Sequence, residues 1–145
     1  MKNLPLVLIT AASAQVLCQI FKFFLYSIQK KRLSFNYLTS PGGFPSAHSA
    51  FVTALSVAVG LNNGFQSDIF AVCCVFAAIV IYDAYRLRGA VEKHAKLFNH
   101  LTIQHFPEEH KNLSEMVGHS IPEIISGILA GGFFSYITMS FFTHF

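Results

Sequence analysis

Gly42-Gly43-Phe44-Pro45-Ser46-Ala47-His48-Ser49-Ala50 runs directly into Phe51-Val52-Thr53-Ala54-Leu55 and an apolar stretch that ends at Leu61. A glycine pair, a proline and small polar residues ahead of an apolar run read as a loop feeding a helix. Proline suits the first helical turn, where its missing N–H costs nothing. The glycines permit a tight turn and a close approach to a ligand. The first N–H groups of the helix lack partners, and its dipole favours an anion there. His48 lies one turn in. The stretch therefore predicts a phosphate-binding helix start with a proton donor beside it.

The rest of the chain is apolar. Its 145 residues suit one domain, read as a single membrane-embedded unit over 1–145. Hydrophobic residues make up 53% and charged residues 12%, and the mean hydropathy is +0.51. A soluble domain carries about twice that charged fraction. The composition predicts an all-α integral membrane protein. The net charge of +3 comes from few basic residues with no interleaved exposed face, which excludes nucleic acid as a partner. Cys18, Cys73 and Cys74 lie in apolar runs and read as packing residues without a disulfide.

About four transmembrane helices are expected. The first covers about Leu4 to Ile28. Its start resembles a signal peptide, but the apolar run continues past the small residues Ala12-Ser13-Ala14 to roughly the length of a span. It is read as an uncleaved helix. Gln15, Gln19 and Lys22 share one face of it. The second covers Pro45 to Leu61, short for a span and rich in small residues that suit close packing in lipid. Asn62-Asn63-Gly64 marks a turn. The third covers Ser67 to Arg88, with Ser67 and Asp68 at its start. Val91, Ala95, Phe98 and Leu101 then recur at helical spacing. They predict an amphipathic helix that extends the third span or lies on the membrane surface. A short polar helix over 108–117 is expected next. The fourth span covers Ile121 to Phe142. Ser120-Ile121-Pro122-Glu123 reads as a capping box with proline in the first turn. Gly127, Ala130, Gly131 and Gly132 offer a close-packing face.

With four spans, the loops after the first and third lie on one side. They hold eight of the ten Lys and Arg residues, so the positive-inside rule puts that side in the cytoplasm. The helix starts at Pro45 and Ser120 open on the same side. His48 sits inside one start and His119 just before the other. Two imidazoles at two helix N-termini can supply a nucleophile and a general acid for phosphoryl transfer. Cations must neutralise the phosphate oxygens, and Lys22, Arg32, Arg86 and Arg88 are the candidates. Asp83 and Arg86, three apart, read as an ion pair. His94, His100, His105 and His110 lie on a polar stretch and read as solvated rather than as metal ligands.

These motifs resemble a known family. Phe44-Pro45-Ser46-Ala47-His48-Ser49-Ala50 is similar to the central P-S-G-H motif of the phosphatidic acid phosphatase type 2 and vanadium haloperoxidase superfamily. His119-Ser120-Ile121-Pro122-Glu123-Ile124, followed by Gly127 and Gly131, is similar to its H-x-x-x-D-V-x-x-G-x-x-x-G motif. The glycine pair, Tyr82-Asp83-Ala84 with a following arginine, and Gly118-His119 resemble the divergent branch of that superfamily. The resemblance covers nearly the whole chain.

It implies a lipid phosphate or diphosphate phosphatase of the bacterial inner membrane type, with no metal and no cofactor. His119 would attack phosphorus, and His48 would protonate the leaving oxygen. Glu123 would accept a hydrogen bond from His119 and hold its tautomer. Ser46, Lys22, Arg32, Arg86 and Arg88 would bind the substrate. The chain departs from the pattern where Gln29, Lys30 and Leu113 stand at an arginine, a proline and an arginine position of the superfamily. Ala47 and Glu123 replace a glycine and an aspartate. Four spans rather than six make a minimal core, which leaves room for completion by a homodimer. The missing arginines support an alternative: a membrane anion-binding or scaffolding module without turnover.

Overall fold

The structure is a computed structural model that describes residues 6–31, 33, 42–109, 112–115 and 117–143. Helix α1 is Leu6–Lys30, α2 is Ala47–Asn63, α3 is Asp68–Tyr85, α4 is Leu87–His105 and α5 is Ile121–Thr143, with a 3-10 turn at Pro107–Glu109. Arg32 and His110 lie outside the described residues.

Three stretches are long and apolar enough to cross a membrane: Leu6–Lys30, Asp68–His105 and Ile121–Phe142. Helix α2 has 17 residues, about 25 Å at the usual rise, and is not one of them. It sits instead at the centre, packed against α1, α3 and α5. Its small residues explain this place. Ala47, Ser49, Ala50, Ala54, Ser56, Ala58 and Gly60 are all buried, so three helices can approach one backbone. Helix α3 is peripheral by comparison. Val72, Val75, Ile79 and Tyr82 face outward, as lipid-contacting residues do.

The seam between α2 and α5 repeats every four residues. The Ser46 amide donates to the Glu123 carbonyl at 3.0 Å. A side chain at Gly127 would collide with the Ser46 carbonyl, and one at Gly131 with the Ala50 carbonyl. One turn further on, Ser135 Oγ donates to the Ala54 carbonyl at 2.9 Å. The glycine spacing thus does what it predicts: it brings two backbones into contact. Gly132 lies off the seam, since a methyl there would meet only Thr53 at an ordinary distance.

Helix ends follow local chemistry. Ser67 caps α3 by accepting from the Phe70 amide at 3.3 Å. Gly64, at φ 91°, closes α2 by donating to the Gly60 carbonyl. Two expectations change. Pro45 precedes the first turn of α2 instead of standing in it, because Ser46 is the N-cap. The polar stretch expected as a helix over 108–117 is a 3-10 turn followed by irregular chain, among the described residues. The amphipathic helix is present as α4, separated from α3 by Arg86 alone. Cys18, Cys73 and Cys74 are free thiols.

A candidate active site at two helix starts

The α2–α5 seam sets the site. Because the Ser46 amide bonds the Glu123 carbonyl, the N-terminal ends of α2 and α5 lie side by side. Ser46 is fully buried, and its Oγ accepts from the Ser49 amide at 3.3 Å and from Ser49 Oγ at 3.0 Å. This cap turns the first residues of α2 so that His48 faces the chain entering α5. His119 sits on that chain, its amide donating to the Ala84 carbonyl at 3.3 Å. The two imidazoles meet edge to face, with centroids 6.2 Å apart and planes at 77°.

The glycine loop is fastened to α1. Lys22 is fully buried, and its Nζ donates to the Gly42 carbonyl at 2.9 Å. The Phe44 amide donates to Tyr26 Oη at 3.2 Å. A side chain on Gly43, at φ 95°, would strike the Tyr26 ring, so glycine is required here by both space and backbone. Gln15, Gln19 and Lys22 do turn inward, with Lys22 the most enclosed. Lys22 is a buried cation in a membrane helix, a position that costs too much to be incidental packing.

Among the described residues the nearest guanidinium to His48 is that of Arg88, from the first turn of α4. Its Nη1 lies 3.3 Å from His48 Nε2, and its Nε donates to Asp83 Oδ2 at 3.1 Å. The expected partner of Asp83 was Arg86; the structure pairs it with Arg88 instead. Arg86 is exposed and lines a cleft of about 640 Å³ together with Tyr85, Glu92, Lys93, His119 and Glu123.

Guanidinium groups only donate, so His48 Nε2 accepts from Arg88 and the ring proton is on Nδ1. That Nδ1 is buried without a partner among the described residues, as are both ring nitrogens of His119. Buried polar atoms of this kind are rare, and three of them on two neighbouring imidazoles mark a candidate place for a ligand. His119 is 5% exposed. Burial pushes its imidazole down to about 4, and the charges of Lys22, His48 and Arg88 push the same way. It is neutral at pH 7, with a lone pair to offer.

Glu123 is placed differently from its expected role. Its Oε2 accepts from the Ser120 amide at 3.1 Å, which is the carboxylate half of a capping box. No hydrogen bond joins it to His119 among the described contacts. His94, His100 and His105 are exposed and stand away from the site. The site thus brings together His48, His119, Ser46 and Arg88, with Lys22 behind the glycine loop and Arg86 on the cleft wall.

Several residues that shape the site were not legible as such. Tyr26 gave no signal beyond its place one turn after Lys22. Asp83 was visible, but not its partner. Glu92 and Asn99 were absorbed into an amphipathic pattern; a polar Asn99 on the face of Ala95 was the one irregularity.

The sequence matches the divergent PAP2 family over residues 3–134. It is 34% identical over 154 aligned residues to YuiD, an uncharacterized membrane protein of Bacillus subtilis (strain 168), an alignment covering 97% of this chain and 96% of that one. No solved structure matches it. Three apolar stretches of spanning length and near-complete coverage by the family agree, and this multi-pass membrane protein belongs to the divergent PAP2 family.

Proposed function

We propose that the protein is a metal-independent phosphatase acting on a lipid phosphate or diphosphate through a phosphohistidine. The observation that carries this reading is the meeting of His48, His119 and Arg88 at two adjacent helix starts. Helix N-termini and a guanidinium both favour a phosphate dianion.

The neutral His119 attacks phosphorus, and the bond from phosphorus to the lipid oxygen breaks. His48 gives its proton to that oxygen. For this, His48 must first carry a second proton, which Nε2 takes from solvent water once Arg88 has released it. An arriving phosphate supplies the reason: Arg88 turns from the ring to the anion, where its charge counters the transition state. Water then attacks the phosphohistidine, His48 takes the water proton back, and inorganic phosphate leaves. Lys22 and Arg86 contribute positive potential, and Ser46 holds the α2 start. Arg32 is kept as a candidate from the sequence alone.

A second cavity supports an amphiphilic substrate. An apolar groove of about 600 Å³ lies between α1 and α5, lined by Leu17, Phe21, Phe24, Phe44, Pro45 and Phe134. Pro45 connects it to Ser46, so a hydrocarbon chain in the groove would leave its phosphate near the histidines. In this reading α2 is the innermost of four crossings. The basic loops lie in the cytoplasm with the site.

The test is phosphate release by the purified protein from phosphatidic acid, phosphatidylglycerol phosphate or a polyprenyl diphosphate. Turnover lost in both His48→Ala and His119→Ala supports the roles given. A folded protein that releases phosphate from none of the three overturns them. The rival reading, an anion-binding module, is favoured by the engagement of Glu123 as a cap. Saturable phosphate or vanadate binding without turnover would select it.

A further inference from the structure

Among the described residues, neither ring nitrogen of His119 has a hydrogen-bond partner. Among the described residues its position is therefore set through its backbone, and residues 112–115 and 117–118 form neither regular helix nor strand. Something must hold that chain. The His119 amide is held by the Ala84 carbonyl on α3, and the chain before it is held by helix α4 at two places seven residues apart and so on one face.

The first place is Asn99, buried despite its amide. Its Oδ1 accepts from the Leu113 amide at 2.9 Å, and its Nδ2 donates to the Leu113 carbonyl at 2.9 Å and to Glu115 Oε1 at 2.8 Å. A side-chain amide bonded to both sides of one residue fixes that residue as a strand partner would. The second place is Glu92. Its Oε2 accepts from the Gly118 amide at 3.0 Å, while its Oε1 is held by Lys96 Nζ at 2.6 Å. Gly118 immediately precedes His119. At Gly118 the chain lies close against α4: a side chain there would come within 2.8 Å of Gly89 Cα.

We propose that Glu92 and Asn99 are positioning residues for His119, acting through the chain from Leu113 to Gly118 and never through the phosphate. The claim rests on the phosphatase reading for its effect on rate, but not for its effect on the ring. The α4 helix is then more than a surface element. It is the arm that sets the nucleophile against His48, with Lys96 aligning Glu92 from the solvent side. Such a device suits a site whose expected orienting carboxylate, Glu123, is occupied as a cap. A misplacement of about 1 Å at a reacting atom is enough to cost about a hundredfold in rate.

The experiment uses the full chain in detergent micelles with the best lipid phosphate substrate. Glu92→Ala and Asn99→Ala are expected to lower kcat at least tenfold with KM within twofold. Glu92→Gln keeps an acceptor for the Gly118 amide and is expected within threefold of the parent kcat. Gly118→Ala lifts the loop without removing either side chain and is expected to match the losses; it serves where an alanine variant does not fold. Parent-like kcat in the folded alanine variants, or loss confined to KM, overturns the proposal. If the parent hydrolyses no lipid phosphate, the phosphatase reading fails and the positioning claim is read separately. Diethyl pyrocarbonate acylates neutral imidazole, and labelling of His119 followed by mass spectrometry is expected to be at least fivefold faster in the variants. Equal labelling rates would overturn it.

Discussion

Arg88 reaches His48 Nε2 at 3.3 Å with one nitrogen and holds Asp83 at 3.1 Å with another. The carboxylate sits on the last turn of α3 and the arginine on the first turn of α4, so the pair spans the junction at Arg86. Its two side chains are about a third exposed, so as a surface ion pair it contributes about 0–1 kcal/mol to stability. Its value lies in aiming the guanidinium. Arg88→Gln is expected to weaken phosphate or vanadate binding and to lower kcat/KM by about a hundredfold, on the order of 3 kcal/mol of charge-assisted hydrogen bonding. Asp83→Asn, which leaves Arg88 in place but loosely held, is expected to cost about tenfold. Steady-state kinetics with both variants check the order; a larger loss in Asp83→Asn would contradict it.

The pH behaviour of His119 has a definite sign. Its folded value of about 4 lies below the ordinary value near 6.5. Between those two pH values the unfolded chain binds a proton that the folded chain refuses. Stability from this group is complete above about pH 6.5 and falls as the pH drops toward 4. Thermal unfolding in detergent should show that slope in the parent and lose part of it in His119→Ala. In kcat/KM, the limb set by His119 should fall below pH 5. A limb at pH 6.5 would show His119 to be solvated instead.

The α2–α5 seam predicts a contrast among neighbouring glycines. Gly131→Ala places a methyl against the Ala50 backbone, whereas Gly132→Ala meets only Thr53 at 3.8 Å. Overpacking of this kind costs about 1–3 kcal/mol. Gly131→Ala should lower the melting temperature clearly, and Gly132→Ala should leave it near the parent value. Gly127→Ala should resemble Gly131→Ala and also disturb the site, because the obstructing atom is the Ser46 carbonyl.

Glu123 separates capping from catalysis. Glu123→Gln keeps an oxygen for the Ser120 amide and should preserve the fold, while Glu123→Ala should cost about 1 kcal/mol as a lost cap. Turnover of Glu123→Gln near the parent rate would assign Glu123 to the helix end. A fall of a hundredfold or more with stability intact would mean that the carboxylate reaches His119 during the reaction.

Much of this was readable from local pattern. The apolar runs marked α1, α3 and α5 because a membrane helix must satisfy its backbone internally and show apolar side chains to lipid. Ser67, Gly64 and the box at Ser120–Glu123 marked helix ends because caps are made by neighbours in the chain. The glycines at 127 and 131 marked a contact face because spacing alone puts them on one side of a helix.

What local pattern could not carry was partnership. Asp83 had an arginine at three residues and another at five, and only the turn between α3 and α4 selected Arg88. Glu123 had two plausible acceptor roles, and the entry of His119 beside Ala84 left it with the helix cap. Glu92 reads as the polar side of an amphipathic helix and Asn99 as a break in its apolar face until a loop from further along the chain lies against them. The sequence by itself determined the three spanning helices and the caps at Ser67, Gly64 and Ser120–Glu123, and singled out the two histidines as candidates, because those depend on residues within a turn or two. The tertiary structure alone decided which cation meets which histidine and what holds the chain before His119. Those contacts join elements whose separation along the chain says nothing about their distance in space.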